Sequence, residues 1–310
     1  MPQGSLRVSV PLTNLSVLYK NEEYIAGKVL KDIPVKKDSD LYWVYNNDFR
    51  VSDSERMNGS LANMVTWEAS TNSYYCKEHA LKDVITDTDR ANTDAPLNLD
   101  KDTMEYLIDK IMLRYEYEAQ KVLFTTTTWG NNTTLTTATS WNYNTTTAQT
   151  PTSNVLSGCA AILGNAGVRP NAGITNFSVM ASLKENKLVY ERIMYAEKAI
   201  ITEEIVAAMF DIQNLYVGTA NYAQGKEGAT ASMTSIWGRD FLLAYINPNP
   251  GLKSKTAAAT LRVTEKGNPY RVKKWRSEDV EGDYIEVQTK FVVKAIATNC
   301  GFFIKSANLI

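Results

Sequence analysis

The stretch of sequence that decides the fold is residues 100–124, DKDTMEYLIDKIMLRYEYEAQKVLF. Its apolar residues recur every three or four positions, which is the spacing of one buried stripe along an α-helix. They are Met104, Leu107, Ile108, Ile111, Met112, Tyr115, Ala119, Val122 and Leu123. A helix of about 25 residues, rising roughly 1.5 Å per residue, is about 37 Å long. Because a small domain does not need this length, the pattern predicts a helix that braces an extended subunit or packs against neighbouring copies.

The start and the second face of this predicted helix carry further information. Asn98 or Asp100 can cap its start by accepting a hydrogen bond from a free backbone N–H, and acids near that end suit the helix dipole. The opposite face is charged but includes Tyr106, Leu113 and Tyr117. We expect either the subunit's own sheet or a neighbouring subunit to cover these three side chains.

The composition is that of a soluble globular protein of one to three domains. Of the 310 residues, 44% are hydrophobic and 22% are charged, which are ordinary values. The 33 basic and 34 acidic residues leave a formal net charge of -1. Because no excess of positive charge attracts phosphates, the composition argues against a dedicated nucleic-acid binder, but it is compatible with a protein that encloses DNA.

The cysteines predict a reducing compartment. Cys76, Cys159 and Cys300 are odd in number and far apart, so they match neither a disulfide framework nor a zinc site.

Residues 1–11 lack the apolar segment of a signal peptide, and no apolar run approaches the ~18 residues of a membrane span. We expect a protein of the cytoplasm without membrane association.

Two β-prone runs near the start of the chain, 28–36 and 41–45, predict a long hairpin joined by a short charged turn. Pro34 cannot donate a ladder hydrogen bond, so it places its strand at the edge of a sheet. A third run, 73–77, is expected to return alongside them after the loop 57–67.

The clearest strand pattern covers residues 284–298. Its predicted apolar face consists of Ile285, Val287, Thr289, Phe291, Val293 and Ala295. An alternation over about 15 residues is roughly three times the usual strand length, so we expect this strand to cross two structural units.

The remaining segments predict a mixture of helices and strands, which gives an α+β fold class. The predicted helices are a short one within 80–99 followed by a solvated lead, and then 153–166, 181–187 and 202–210. The predicted strands are a hairpin within 125–150 and single strands at 174–180, 215–217, 235–245 and 256–263.

Residues able to perform chemistry at neutral pH are scarce. His79 is the only histidine, which excludes a His-paired metal site. Cys76 and His79 lie three residues apart on one short segment. This spacing is weak evidence for a thiol nucleophile that a histidine activates. The adjacent Glu203 and Glu204 diverge on a helix and cannot flank one glycosidic bond. The acids between 83 and 100 do not follow a calcium-loop spacing. We therefore predict no catalytic, cofactor-binding or metal site.

One basic cluster surrounds Trp275, a combination that can bind single-stranded nucleic acid. It consists of Arg271, Lys273, Lys274 and Arg276. Because acidic residues follow at once within 278–283, we favour a solvated loop or an inter-subunit charge patch. The glycine-rich segment 218–228 lacks the spacing of a phosphate-binding loop, so we predict a mobile surface loop there.

The order of these elements resembles the major capsid protein of tailed bacteriophages, whose fold is shared with bacterial encapsulin shells. The resemblance covers roughly residues 20–310. The motifs that carry it are the run 24–49, Asn92 to Leu99 before the long helix, Arg169-Pro170-Asn171 before a strand, Ile236-Trp237-Gly238-Arg239-Asp240, and 283–287 through 300–304. Ala172-Gly173-Ile174 departs from the more apolar continuation that is usual in the family.

The resemblance implies a division of the chain. Residues 1–23 would be an N-terminal arm, 24–79 an extended loop formed by the long hairpin, 80–150 and 271–310 a peripheral domain with the spine helix 100–124, and 151–270 an axial domain.

The resemblance also implies a function. The chain would be a structural, non-enzymatic subunit of an icosahedral phage head that self-assembles through hexamers and pentamers and encloses double-stranded DNA without reading its sequence. Its location would be the virion, after assembly in the host cytoplasm. Its partners would be further copies, a separate scaffolding protein, a portal and a decoration protein.

Several points stay open. The family's long N-terminal scaffolding segment does not appear in the sequence, which implies cleavage or a separate scaffold. Lys36 and Lys37 lie near the presumed loop tip, but no asparagine partner is identified, so we predict no cross-link. The alternatives are an encapsulin-like compartment shell and a carboxylate-dependent hydrolase using Glu203 or Glu204.

Overall fold

The computed structural model describes residues 21, 23–45, 49–93, 98–142, 150–193, 201–225, 232–251, 253–264 and 268–308. The predicted arm, 1–23, lies outside these residues except for Asn21 and Glu23, so its structure stays a prediction.

The described residues form seven α-helices. They are α1 (Ala26–Val29), α2 (Asp87–Asn92), α3 (Leu99–Leu123), α4 (Pro151–Ala166), α5 (Phe177–Glu185), α6 (Lys187–Ile193) and α7 (Glu203–Met209). The long helix predicted at 100–124 is confirmed as α3. The Asn98 side chain caps it by accepting a hydrogen bond from the Lys101 backbone N–H at 3.2 Å. The helix predicted at 153–166 is confirmed as α4, which ends where Gly167 adopts a left-handed conformation with φ 64°.

The described residues also form fourteen strands. They are β1 (Asp32–Val35), β2 (Ser39–Tyr45), β3 (Ala69–Tyr75), β4 (Lys77–Thr86), β5 (Asn131–Thr134), β6 (Ala172–Asn176), β7 (Asn214–Gly218), β8 (Asn221–Gln224), β9 (Ser232–Ser235), β10 (Phe241–Ala244), β11 (Ala258–Val263), β12 (Arg271–Ser277), β13 (Gly282–Ala295) and β14 (Gly301–Lys305). Together with the helices, they confirm the α+β class.

The first five-stranded sheet is built around β13. This strand pairs antiparallel with β4, β11 and β12, and β11 pairs in parallel with β1 at the edge. Side chains of β13 alternate as predicted, with Ile285, Val287 and Phe291 buried. The strand stays within this one sheet but contributes to two hydrophobic clusters, with Ile285 and Val287 in one and Phe291 and Val293 in the other, which agrees with the prediction that it crosses two units. The chain enters the second sheet at β14, after the 3-10 turn Thr298–Cys300.

The second five-stranded sheet has the order β5-β14-β10-β6-β7. Helix α4 packs on β14, β10 and β5, whereas α5 and α7 lie against β6 and β7. All four residues of β10 are buried, as expected for a central strand that is covered on both faces.

Helix α3 spans two hydrophobic clusters. Its first half places Leu107 and Ile111 against Ile85, Ile285 and Val287 of the first sheet. Its second half places Tyr115, Ala119 and Leu123 in the larger core, which includes the second sheet. The helix therefore exceeds the length of one core because it serves both, which is how it braces the subunit.

The predicted hairpin between 28–36 and 41–45 is wrong. Strand β1 pairs with β11, and β2 instead pairs with the returning strand β3, as the third predicted run allowed. The physical reason lies just before β1, where Ile25, Ala26, Val29 and Leu30 are buried in the core and hold β1 at the first sheet. The edge position of the Pro34 strand is confirmed.

Further segments differ from their predictions: residues 177–180, predicted as strand, begin helix α5, and the strand predicted at 235–245 is limited to β10. Within 80–99, the short helix is α2, but β4 precedes it and forms a long ladder with β13. Within 125–150, the predicted hairpin is wrong for the described residues, because β5 pairs in parallel with the distant β14. Residues 143–149 lie outside the described part of the chain.

The predicted division at 150 and 270 does not coincide with the two sheets. Strand β11, from the predicted axial range, belongs to the first sheet, and β5 and β14, from the predicted peripheral ranges, belong to the second. Pairing with β13 draws β11 into the first sheet, and the buried residues of β10 recruit β14 to the second.

Candidate assembly surface

The hairpin β2–β3 is attached to the first sheet at the end where β2 begins and β3 ends. Its register runs from Ser39 opposite Tyr75 to Tyr45 opposite Ala69. At the base, the Cys76 backbone N–H donates to the Asp38 carbonyl at 2.7 Å, and the Lys290 ammonium lies 2.9 Å from the Asp38 carboxylate. The hairpin is therefore tied to the first sheet at the point where it begins.

Beyond this base, the hairpin and its loop expose large apolar side chains. They are Leu41, Trp43, Phe49, Val51, Met57, Leu61, Met64, Val65 and Trp67. We call them the hairpin apolar set. Met57 is 84% and Leu61 is 94% exposed. Exposed apolar residues that cluster in one segment mark an interaction surface, since isolated ones are ordinary but contiguous ones are not.

The loop 49–68 has polar contacts within itself, while most of its residues are exposed. The Arg56 guanidinium donates to the Ser60 carbonyl at 2.6 Å, and the Asn63 amide donates to the Asp53 carbonyl at 3.0 Å. Polar groups are thus used inside the loop while its apolar groups face outward. This arrangement suits contact with another protein chain, where apolar and aromatic residues form the centre of an interface.

The junction between α1, α3 and Trp237 contains a fully buried carboxylate, that of Glu116. One oxygen accepts hydrogen bonds from the Ile25 backbone N–H at 3.0 Å and the Trp237 indole N–H at 2.6 Å. The other accepts from the Ala26 backbone N–H at 2.9 Å. Burial raises the pKa of the Glu116 carboxyl, and these three hydrogen bonds oppose that rise. We call this arrangement the Glu116 junction.

The predicted basic cluster is a strand, β12, and not a solvated loop. Lys274 lies 2.8 Å from Asp100, Arg276 lies 2.7 Å from Asp87, and Lys273 lies 3.1 Å from Glu286. Lys274, followed by Arg90, holds the pKa of Asp100 below its usual range. These cations are neutralised within the chain and join α2 and α3 to the sheet, which leaves them poorly suited to bind phosphates.

Cys76 and His79 do not form a catalytic pair. The Cys76 thiol lies 3.5 Å from the Leu261 carbonyl, and burial raises its pKa. The His79 ring stacks on Phe291 at a centroid distance of 4.5 Å, and burial lowers its pKa. A thiol with a raised pKa is a poor source of nucleophilic thiolate, so each residue has a packing role instead.

The other sites considered from the sequence have equally plain roles. Glu203 and Glu204 are exposed in the first turn of α7, where acids suit the helix dipole. Part of the glycine-rich segment forms strand β8, which pairs with β9, while 226–231 lies outside the described residues.

Among the residues described, no group of three or more His, Cys, Asp or Glu is arranged to hold a metal ion. None of the described helices combines the length and apolarity needed to cross a membrane.

The second face of α3 is only partly covered by the subunit itself. Leu113 packs against the main core, and the Tyr117 ring lies 5.5 Å from that of Tyr222. Tyr106 remains exposed, with the Lys110 ammonium 5.2 Å from its ring centroid. The subunit therefore covers Leu113 and Tyr117 itself, whereas Tyr106 is exposed and its covering by a neighbour stays a prediction.

Sequence reasoning missed the Glu116 junction. Glu116 lies four residues after Met112 and three before Ala119, so an acid on the apolar stripe was the available signal.

An exposed apolar hairpin on a body of two sheets braced by one helix defines a shell subunit, a protein that works by assembling with other chains. Residues 126–293, more than half of the chain, match the family Phage major capsid protein E, and the chain belongs to this family. It is thus a structural subunit of a phage shell, and the predicted capsid-protein fold is confirmed.

Individual relatives agree with this assignment. The chain is 26% identical over 315 residues to the major capsid protein of Burkholderia phage BcepMu, covering 98% of both. Its fold is similar to that of a phage-related protein from Bordetella bronchiseptica RB50, with a TM-score of 0.74, 19% identity, and coverage of 94% of this chain and 95% of that one. It is also similar to a capsid chain of cyanophage P-SCSP1u, with a TM-score of 0.63, 10% identity, and coverage of 97% and 93%.

Proposed function

We propose that this chain assembles with copies of itself, through hexamers and pentamers, into an icosahedral head that encloses double-stranded DNA. The observation that carries the proposal is the hairpin apolar set, which stands in water in the single subunit. A shell built from repeated contacts would bury this set once per subunit, so each copy contributes one such contact and receives another.

The parts of the subunit take different roles in this proposal. The hairpin β2–β3 acts as the extended loop that lies on a neighbouring copy. The first sheet with α3 forms the peripheral domain, and the second sheet with its helices forms the axial domain around the capsomer axes. Residues 1–23 act as the arm. This division follows sheet membership and replaces the boundaries at 150 and 270.

The contents of the head are held without a specific site. The near-neutral net charge supports enclosure of DNA without tight binding of its phosphates. The cations of β12 support the same conclusion, because they are paired with acids of the same chain. The chain acts without enzymatic activity, in the host cytoplasm during assembly and in the virion afterwards. A separate scaffolding protein, a portal and a decoration protein complete the proposed partners.

The two alternatives receive less support. The matched family is that of phage capsids, which favours a phage head over an encapsulin-like compartment. The hydrolase alternative requires paired carboxylates, whereas Glu203 and Glu204 are exposed neighbours on α7.

The test is assembly of purified protein with and without the hairpin apolar set. We expect the native chain, supplied with its scaffold, to form capsomers or shells in negative-stain micrographs. The triple substitution Met57→Gln, Leu61→Gln and Met64→Gln is expected to abolish particles and leave the thermal midpoint of the subunit unchanged, because these side chains are exposed before assembly.

A matched control uses polar residues of the same loop, Ser52→Ala, Ser54→Ala and Asn58→Ala, which should assemble like the native chain. If the triple glutamine variant forms shells as efficiently as this control, the apolar set is not the contact. If the native chain stays monomeric with every scaffold tested, the proposed assembly itself is wrong.

A further inference from the structure

The distal end of the hairpin carries a contact that its strand pairing does not require. The rings of Tyr45, at the end of β2, and Trp67, just before β3, stack with centroids 5.1 Å apart. The Lys253 ammonium lies 5.5 Å from the centroid of each ring. Lys253 belongs to the turn between β10 and β11, so a cation from the body of the subunit faces a pair of aromatic rings on the hairpin.

A second contact lies beside the first. The Lys255 ammonium is 5.2 Å from the ring centroid of Phe49 and donates a hydrogen bond at 2.7 Å to the Ala166 carbonyl, at the end of α4. Phe49 also lies close to Gly167, where an added Cβ would meet the Phe49 ring at 3.2 Å. The loop is therefore held against the end of α4 as well as against the turn.

The backbone at Lys253 supports a specific role for this contact. Lys253 adopts a left-handed conformation with φ 61°, which is unfavourable for a residue that has a Cβ atom. The turn thus accepts a strained residue at the position whose ammonium faces Tyr45 and Trp67. Glycine or asparagine would satisfy the backbone more easily but would not supply a cation.

We propose that Lys253 and Lys255 form a latch that fixes the direction in which the loop 49–68 is presented to a second copy. The hairpin is tied to the first sheet at Asp38 and to the body near the second sheet by the latch, so it has two points of attachment. The latch does not hide the interface, since Trp67 stays 68% and Phe49 59% exposed. It removes loop freedom before assembly, and this lowers the entropy that the contact must overcome. The role in presentation rests on the proposed shell function, whereas the latch itself does not.

The latch is tested in the unassembled full-length chain by hydrogen exchange of the β2 and β3 amides. Lys253→Met keeps the length of the side chain and the left-handed backbone while removing the charge. We expect it to speed exchange at 42–45 and 69–72 by roughly two- to five-fold, the range of an exposed cation–π contact. Lys255→Met should have an effect of the same kind at 49–51.

The matched control is Lys121→Met, because the Lys121 ammonium also lies over a ring, 4.6 Å from the Tyr117 centroid, but on α3. It should leave exchange in the hairpin unchanged. In a Trp67→Leu background, Lys253→Met should add little further change, since its aromatic partner has already been removed. Unchanged exchange in Lys253→Met and Lys255→Met, with thermal midpoints equal to the native chain, would overturn the latch.

A second measurement tests presentation separately. Assembly followed by light scattering should start more slowly for Lys253→Met than for Lys121→Met, while the final yield of shells stays the same. Equal rates for the two variants would contradict the role in presentation even where exchange confirms the latch. Because exchange is measured on free subunits, failure of the latch and failure of the proposed assembly give different results.

Discussion

The hairpin β2–β3 and the Glu116 junction distribute polarity in opposite ways. In the hairpin loop, Met57 and Leu61 face water, although burial of apolar surface is favourable. At the junction, a carboxylate lies out of water, at a cost that three hydrogen-bond donors offset. The junction is complete within one chain, whereas in the proposed shell the hairpin is completed by a second molecule. On this proposal, one region determines the stability of the subunit and the other determines whether subunits associate.

The largest expected effect on stability is at the junction. Glu116→Ala leaves the N–H groups of Ile25, Ala26 and Trp237 buried without an acceptor. Each unsatisfied donor costs about 1–3 kcal/mol, so we expect the free energy of unfolding to fall by more than about 3 kcal/mol. Chemical denaturation measures this change.

The control for that prediction is Glu118→Ala, two residues further along α3, which removes a surface ion pair with Arg114. A surface pair on a helix contributes about 0.5 kcal/mol. Equal losses for the two variants would mean that the junction has no special role in stability.

A somewhat smaller effect is expected from packing beside the junction. Gly218, at the end of β7, lies so close to the Trp237 ring that an added Cβ would overlap it. We expect Gly218→Ala to lower the free energy of unfolding by about 1–3 kcal/mol through overpacking. Gly164→Ala is the matched control, because its Cβ meets nothing within 4 Å, and alanine in a helix is favoured over glycine by roughly 0.5–1 kcal/mol. Thermal midpoints that shift in the same direction for both would refute this account of Gly218.

The dependence on pH sharpens the comparison further. Burial raises the pKa of Glu116 in the folded protein above its ordinary value of 4.5, so the folded state binds this proton more strongly than the unfolded state. The contribution is present below pH 4.5 and is lost as pH rises through the folded pKa. We expect the unfolding free energy of the native chain, relative to Glu116→Gln, to fall over that window and then level off. A relative stability that rises with pH would mean that the pKa of Glu116 is lowered in the folded protein, and it would contradict the effect of burial on this carboxyl.

The smallest effect on the subunit is expected at Tyr106, the exposed tyrosine of α3. Tyr106→Ser should change the free energy of unfolding by less than about 0.5 kcal/mol, because the ring is exposed. Nitration of Tyr106 should nevertheless be blocked in shells, with the buried Tyr115 protected in both states. Equal nitration of Tyr106 in free subunits and in shells would show that no neighbour covers it.

Long periodic patterns predicted their elements well. The stripe of α3 and the alternation of β13 persist for many residues, so local noise does not obscure them. The α4 helix was predicted because Gly167 supplies a clear stop. The capsid fold followed from the order of such elements, through a resemblance that the family match supports.

The pairing of segments that lie far apart in the chain was harder to predict from the sequence. Strand β1 was assigned to its neighbour in sequence, although the burial of Ile25 and Val29 directs it to β11, more than two hundred residues away. Strand β4 is mostly exposed and lacks an alternating pattern, so only its ladder with β13 defines it. The Lys253 contact joins segments far apart in the sequence, and neither segment signals the other. Such pairings depend on which surfaces the remaining core leaves available, and a local pattern does not contain that information.

The central claim is that the hairpin apolar set is buried by another copy of the chain, and methionine oxidation tests it most directly. Met57 and Met64 are exposed in the free subunit, and Met180 is buried within the core. Purified subunits and assembled shells would be treated with the same dose of peroxide and compared by mass spectrometry. We predict that Met57 and Met64 oxidise readily in subunits and are protected in shells, with Met180 protected in both. Equal oxidation of Met57 and Met64 in subunits and shells would contradict the account.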